Sequence, residues 1–262
     1  MNDGWNRTQY QRFASERAQP FHDLLALVHP VPGIRAVDLG CGTGELTALA
    51  AAQLRTDSML GIDNSPNMLA GAKPLEREGL RFEAGDIGRW TAAADVDLVL
   101  ANASLQWVPD HERVLTKWTA ALRAGGQLAV QVPANHDYPS HTISSALSRE
   151  EPYRTWFGDQ DVSDPVATNV LNPQGYAELL DRLGFVDQTV RLHVYGHRLA
   201  STGEVVEWVR GTSLTRFEKL LTPEQFERFV GEYRRRLVEE LGEHEPFFFP
   251  FKRILLWGRL PG

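Results

Sequence analysis

From Ile34 onward, short apolar runs alternate with stretches of helical periodicity. The runs are IRAVDL, SMLGID, LRFEA, VDLVLA and GGQLAVQV, and helical stretches between them begin at Glu45, Ser65 and Asp110. This rhythm predicts a parallel sheet, because parallel neighbours need a crossover and a helix supplies it. The run at 96–101 is apolar almost throughout. A strand covered on both faces requires that, so helices are expected on both sides of a doubly wound α/β sheet. Ligands of such sheets sit at the carboxyl ends of the strands.

Past Pro133 the pattern loosens. ANHDYPSHT and DQDVSDPVATNVLNP are rich in turn formers, flank a helical piece at 149–154, and read as an insertion. Helical periodicity returns at 176–183 and stops at Gly184, after which FVDQTVRLHVYGH alternates as a strand. Two further helices are expected at 204–210 and 224–241, and FFFPFKRILLWGRL reads as a closing strand with Pro250 near its entry. Ahead of the sheet, Trp5, Tyr10, Phe13 and Phe21 are spaced loosely like one helical face. That face either packs on the domain or lies over a ligand as a lid.

The stretch VDLGCGTGE places three glycines between two carboxylates. Bare backbone before a helix usually receives phosphate, but flanking acids repel it. The spacing is G-x-G-x-G, whereas a dinucleotide loop is G-x-G-x-x-G with its acid on the next strand. A nucleoside carrying an amino acid, as in S-adenosylmethionine, accounts for both features: Asp38 receives an ammonium group while Gly40, Cys41 and Gly42 pass under the ribose. Asp63 ends the second run and can accept both ribose hydroxyls; Asn64 and Met68 follow, the latter placed to lie against a purine. Asp86 suits the adenine amino group and Ile87 its ring, and the fourth run ends in Asn102 and Trp107, beside the reacting methyl. Each of these also has an ordinary reading. A strand-terminal Asp often caps the next helix, Met is often core, and Cys41 can be a small filler. Asp110 is expected to cap a helix, with His111 as a solvated helix-start residue.

Composition narrows the field further. The 262 residues are 42% hydrophobic and 23% charged, without an apolar run of membrane-spanning length. The start has no apolar signal core and there is one cysteine, so the expected compartment is the cytoplasm. A net charge of -7 speaks against nucleic acid and for a small-molecule partner; no membrane partner is expected, and the oligomeric state stays open. His136, His141, His193 and His197 show no metal-ligand spacing, so no metal is expected.

These residues together resemble the class I S-adenosylmethionine-dependent methyltransferases, and more narrowly the trans-aconitate 2-methyltransferase family. The likeness runs nearly the full length, from Trp5, Tyr10, Phe13, Arg17 and Pro20 through DLGCGTG, GIDNSPNML, AGDIGRW, ANASLQWVPDH and LAVQVPANHDYPSH to VVEWVRGTSL and PFFFPFKRILLWGR. It implies a Rossmann-like doubly wound seven-stranded sheet, mostly parallel with an antiparallel last strand, plus helical cap insertions. Residues 1–262 would form one domain: a helical lid at 1–30, the cofactor core at 31–133, substrate-cap insertions at 134–172 and 200–246, and the last strand at 247–262. Asp38, Gly40, Gly42, Asp63, Asp86 and Ile87 match the family's cofactor positions; Cys41, Asn64, Met68, Asn102 and Arg17 complete the candidate set. Around 214–217 and in GEHEPFFFP the chain departs from its relatives, which leaves the identity of the acid open.

Esterifying a carboxylate needs no general base, because the acid is already ionised at neutral pH, so no catalytic residue is assigned. Aromatic walls would keep the site dry: Tyr10, Phe13, Trp107, Tyr195 and Trp208. Arg210, Arg216 and Arg253 are the candidates for holding the acid. Rival readings are a dehydrogenase, which the glycine spacing disfavours, a nucleic-acid methyltransferase, which lacks its basic face, a methyltransferase for another small acid or natural product, and a binding module without turnover.

Overall fold

A computed structural model describes residues 14–262, with side chains from residue 18 onward. Strand β1 (Arg35–Leu39) is flanked by β2 (Ser58–Asp63) and β4 (Val96–Asn102); β3 (Leu80–Ala84) lies outside β2, and β5 (Leu122–Pro133) beside β4. These five strands pair in parallel. Strand β7 (Phe247–Arg259) adds antiparallel to β5, and β6 (Asp187–Leu199) closes the order β3-β2-β1-β4-β5-β7-β6. The seven-stranded sheet is therefore mostly parallel with an antiparallel last strand, as the sequence led us to expect. The order turns back between β1 and β4, the switch point at which such sheets hold ligands.

The described residues form two compact units. One gathers 15–133, 169–193 and 253–262, the other 134–168 and 194–252. In the first, α1 (Ala14–Leu25) buries Phe21, Leu24 and Leu25, and α2 (Glu45–Leu54) follows the glycine turn. Helix α3 (Pro66–Ala72) starts where the Ser65 hydroxyl accepts the Met68 N–H and Pro66 needs no partner, an N-cap that the sequence DNSPNM encodes locally. Asp110 caps α4 (His111–Ala120) as expected. His111 differs from expectation, for it is buried rather than solvated. Its Nδ1 lies 2.7 Å from the Tyr176 hydroxyl and its Nε2 3.0 Å from the Leu105 carbonyl. Tyr176 belongs to α8 (Pro173–Arg182), more than sixty positions away, so nothing beside His111 in the sequence announces the burial.

In the second unit the stretches rich in turn formers carry helices. Pro139 opens α5 (Pro139–Leu147), α6 is Tyr153–Phe157, and α7 (Pro165–Asn169) lies inside the turn-rich stretch. Proline at a first helical position reads as a turn former in sequence yet initiates a helix here. Helices α9 (Glu204–Arg210), α10 (Thr215–Glu218) and α11 (Pro223–Leu241) follow, the last opened by a reciprocal Thr222–Gln225 capping box. Trp208, Phe217, Phe229, Tyr233 and Phe249 centre an apolar core that belongs to this unit alone. Among the described residues no helix is long and apolar enough to cross a membrane.

One side chain fastens several parts of the first unit. Buried Gln127 on β5 accepts the His29 N–H at 2.8 Å and the Trp257 indole N–H at 2.9 Å, and donates to the His29 carbonyl at 2.6 Å. Gln127→Leu strands the buried Trp257 indole N–H and leaves the His29 backbone groups to solvent, and should lower unfolding free energy by roughly 1 to 3 kcal/mol, the range for an orphaned buried polar group. Urea unfolding checks this; a loss below about 0.5 kcal/mol would show that the clamp is dispensable.

Candidate active site

Asp38 sits next to last on β1 with 3% of its surface exposed. Its Oδ2 accepts the hydroxyl of Thr47, on the first turn of α2, at 2.5 Å. Its Oδ1 is buried with no hydrogen-bond partner among the described residues. Burial raises the carboxyl pKa from 3.8 to about 7; the Thr47 bond pulls the other way and the nearby Asp63 charge adds to the rise. The site thus holds an acid whose ionised form lacks a counter-charge.

The glycines that follow do different work. Gly40 lies at φ 88°, and a Cβ there would stand 2.2 Å from the Ser104 Cβ. Ser104 is fixed by its own bond to the Leu39 carbonyl at 2.5 Å, so the turn after β1 and the turn after β4 close on each other through this glycine. Gly42 lies at φ 55° with no heavy atom of the described residues within 4 Å of a Cβ, which leaves open space over its backbone. Its N–H reaches back to Asp63 Oδ2 at 2.9 Å, while Asp63 Oδ1 accepts the Ser65 N–H at 2.9 Å. Two backbone donors therefore set the Asp63 carboxylate at the end of β2. Cys41 between the glycines is buried, and burial with the Asp38 and Asp63 carboxylates pushes its thiol far above the ordinary range, which makes it inert.

Strand register brings the other candidates into relation. Gly61 pairs with Asp38, Asp38 with Leu100, and Asn102 with Gln131, so Asp63, Asp38 and Asn102 share one face of the sheet at its carboxyl edge. The Asn102 Oδ1 is buried without a partner among the described residues. Asp86, past β3, is exposed; its Oδ1 accepts the Gly88 N–H at 2.8 Å rather than capping a helix. Next to it the Ile87 carbonyl accepts the Trp118 indole at 3.0 Å, which pins the segment. Met68 is buried in the capped start of α3, Asn64 is exposed, and Trp107 is 37% exposed on the short 3-10 turn Leu105–Trp107.

The remaining candidates are more dispersed. Tyr195 is buried, and Trp208 lies in the core of the second unit, its ring 4.6 Å from that of His197 and 5.6 Å from that of Phe249. Arg210 is committed to Glu227. Arg216 donates to the carbonyls of Val162 and Ser213 and the hydroxyls of Ser144 and Ser145, with its guanidinium 4.2 Å over Phe217. Four of its five N–H groups have protein partners, so this arginine knits the second unit together. Arg253 is buried on β7 in the first unit and donates to Gln131 Oε1 at 3.2 Å. Tyr10, Phe13 and the side chain of Arg17 lie outside the described residues. Sequence reading missed Thr47 and Ser104, since a small hydroxyl residue on a helix start or after a strand carries no periodic signal. Among the described residues no group of three or more His, Cys, Asp or Glu is placed to hold a metal.

Comparison with known proteins matches residues 30–179 to a model described as a methyltransferase domain. The chain is 41% identical over 261 residues to the trans-aconitate 2-methyltransferase of Deinococcus radiodurans, covering 98% of each. It is 39% identical over 262 residues to the protein of that name from Mycobacterium sp. (strain KMS), covering 97% of this chain and 99% of that one. Among solved structures, the YcgJ protein of Bacillus subtilis superposes with a TM-score of 0.62 at 14% identity over 93% of this chain and 99% of that one. Phosphoethanolamine N-methyltransferase 2 of Haemonchus contortus, solved with S-adenosyl-L-methionine, gives 0.58 at 16% identity over 93% and 53%. At such identities the structural likeness speaks for the fold alone.

Thr47 is the one described donor to the Asp38 side chain. Thr47→Val should raise the Asp38 midpoint by about one pH unit, the worth of one net hydrogen bond. Carboxyl-carbon NMR titration of the cofactor-free protein reads it; an unmoved midpoint would mean that the Thr47 bond does not contribute to the value.

Proposed function

We propose that this chain, which belongs to the trans-aconitate 2-methyltransferase family of S-adenosylmethionine-dependent methyltransferases, esterifies a carboxylate of a small di- or tricarboxylic acid, trans-aconitate first among them. The observation that carries the cofactor half is the buried Asp38 oxygen without a partner, set beside an open glycine backbone. Both fit an ammonium-bearing nucleoside. Bound S-adenosylmethionine supplies a methyl group activated by a sulfonium and an α-ammonium group. Asp38 holds the ammonium, Gly42 leaves room for the ribose, Asp63 accepts its hydroxyls, and Asp86 with Ile87 frames the adenine. Asn102 and Trp107, at the end of β4, border the reacting centre.

The chain's titratable groups suit an acceptor that needs no base. Near the end of β4, His111 gives its Nε2–H to the Leu105 carbonyl, which can only accept, and takes the Tyr176 hydroxyl proton on Nδ1. Burial lowers its pKa, and both nitrogens are spent. Cys41 is held as a thiol. A carboxylate with a pKa near ~4 is already ionised at neutral pH, so positioning and exclusion of water suffice. A phenol or amine acceptor would usually want a base.

Two measurements test the reading. Incubation with S-adenosylmethionine and a panel of small polycarboxylic acids should yield a methyl ester that mild alkali hydrolyses. A product stable to alkali would contradict carboxyl methylation, and an inactive panel would remove this substrate class.

The second measurement concerns pH. Because the folded Asp38 pKa is raised to about 7, the folded protein keeps a proton that the unfolded chain has released. Stability of the cofactor-free protein therefore carries a contribution that is full below about pH 4 and falls as pH rises toward 7. Cofactor binding has the opposite sense, since the ammonium needs the ionised acid. Affinity should fall about tenfold from pH 7.5 to pH 6, with release of a proton at the lower pH, while turnover at saturating cofactor stays nearly flat. Calorimetry in buffers of different ionisation enthalpy counts the proton; equal affinities at both pH values would separate Asp38 from the ammonium.

A further inference from the structure

Strand β5 carries two glutamines on one face, four positions apart, and they are treated differently. Gln127 uses both ends of its amide. Gln131 is 0% exposed, accepts Arg253 Nη1 on Oε1, and has no hydrogen-bond partner for Nε2 among the described residues. The arginine fixes which way the amide faces, because a guanidinium has only donors: the oxygen turns to it and the NH2 group turns elsewhere. A fully buried NH2 group without an acceptor is costly and marks a place where a guest is expected. Its neighbours on the same face, Ala129 along the strand and Leu255 opposite on β7, are buried and apolar, and a leucine at 131 would suit them without that cost.

Register shows what the guest must look like. Asp38 pairs with Leu100, Asn102 with Gln131, and Pro133 with Arg253, so Asp38, Asn102, Gln131 and Arg253 lie on one face at successive strand ends. Neighbouring strands are roughly 4.8 Å apart, so this row spans about 14 Å. Along it the groups change character in order: a carboxylate, an unpartnered carbonyl oxygen, an unpartnered amide NH2, and a guanidinium. Acceptors occupy one half and donors the other. A cation belongs on the first half and an anion on the second.

We propose that Gln131 binds the acid substrate: its amide NH2 donates to a substrate carboxylate, while its carbonyl oxygen aims the Arg253 guanidinium at the same anion. The inference rests on the carboxyl-methylating reading and names the residues on the sheet that select for an acid. A tricarboxylate spans only the donor half, which keeps it beside the cationic cofactor rather than over it.

The test compares the native enzyme with Gln131→Leu and with Gln131→Glu, which keeps the shape and the Arg253 contact but removes the donors. Thermal melting establishes folding, and the near-isosteric Glu variant carries the test if the Leu variant does not fold. Expected are an unchanged affinity for S-adenosylhomocysteine within about twofold, a KM for the acid raised roughly 10- to 100-fold in Gln131→Leu, and a larger rise in Gln131→Glu, with kcat moving less. A residue that merely supported Arg253 would leave Gln131→Glu near native, and that result, or an unchanged KM in a folded Leu variant, would overturn the proposal. Titrating propane-1,2,3-tricarboxylate into the S-adenosylhomocysteine complex keeps the two inferences apart. Binding by the native protein that Gln131→Leu weakens supports Gln131 even if no acid is methylated, which would overturn the reaction alone. No binding by the native protein overturns the Gln131 site.

Discussion

A carboxylate sealed at the end of the first strand, with one oxygen bonded and the other left bare, is the constraint around which the first unit is arranged. An acid in that position needs one hydrogen bond to be tolerable and a cation to be ionised cheaply. Thr47 supplies the hydrogen bond from the helix that the glycine turn launches. The turn can be that tight because Gly40 lets Ser104 come against it, and Ser104 in turn bonds the Leu39 carbonyl just after Asp38. Gly42 completes the circuit by holding Asp63. Glycines, hydroxyls and acids from three strand ends thus depend on one another. None of them would be needed in this form if residue 38 were apolar.

The sheet was readable in the sequence because buried parallel strands leave continuous apolar runs with helical intervals, and all seven strand segments coincide with such runs or alternations. The gathering of Asp38, Asp63 and Asn102 at one edge of the sheet was readable for a different reason: glycine spacing and strand-terminal polar residues are local features, and local features survive translation into one dimension. What could not be read is long-range. His111 is buried by Tyr176, Arg216 is anchored by Val162 and two serines more than seventy positions away, and Gln131 draws its meaning from Arg253. Where the helices of the insertion open, at Pro139 and Pro165, was masked by composition, since proline, serine and aspartate serve turns and helix starts alike.

Charge on the sheet face bears on the chemistry as well as on recognition. Transfer of a methyl group from a sulfonium to a carboxylate removes one positive and one negative charge together. In the proposed reading Asp38 meets the same α-ammonium before and after transfer, whereas the donors at Gln131 and Arg253 would face an ester that carries one charge fewer than the acid. Release of the ester would then be favoured by the very groups that take up the acid.

Gly40 and Gly42 stand two residues apart in one turn, yet a methyl group added to each would have unlike fates. At 40 it meets Ser104 at once, and the backbone at φ 88° resists it too, so the damage falls on folding. At 42 it enters open space at φ 55°, a conformation other residues reach at modest cost, so the chain can keep its shape while its guest is kept out. In genetic terms the first is a null allele through loss of the protein. If the proposed cofactor site is right, the second is a separation-of-function allele: it would leave an intact protein in the cell with its nucleoside pocket shut, and so distinguish phenotypes that need turnover from those that need only the folded chain.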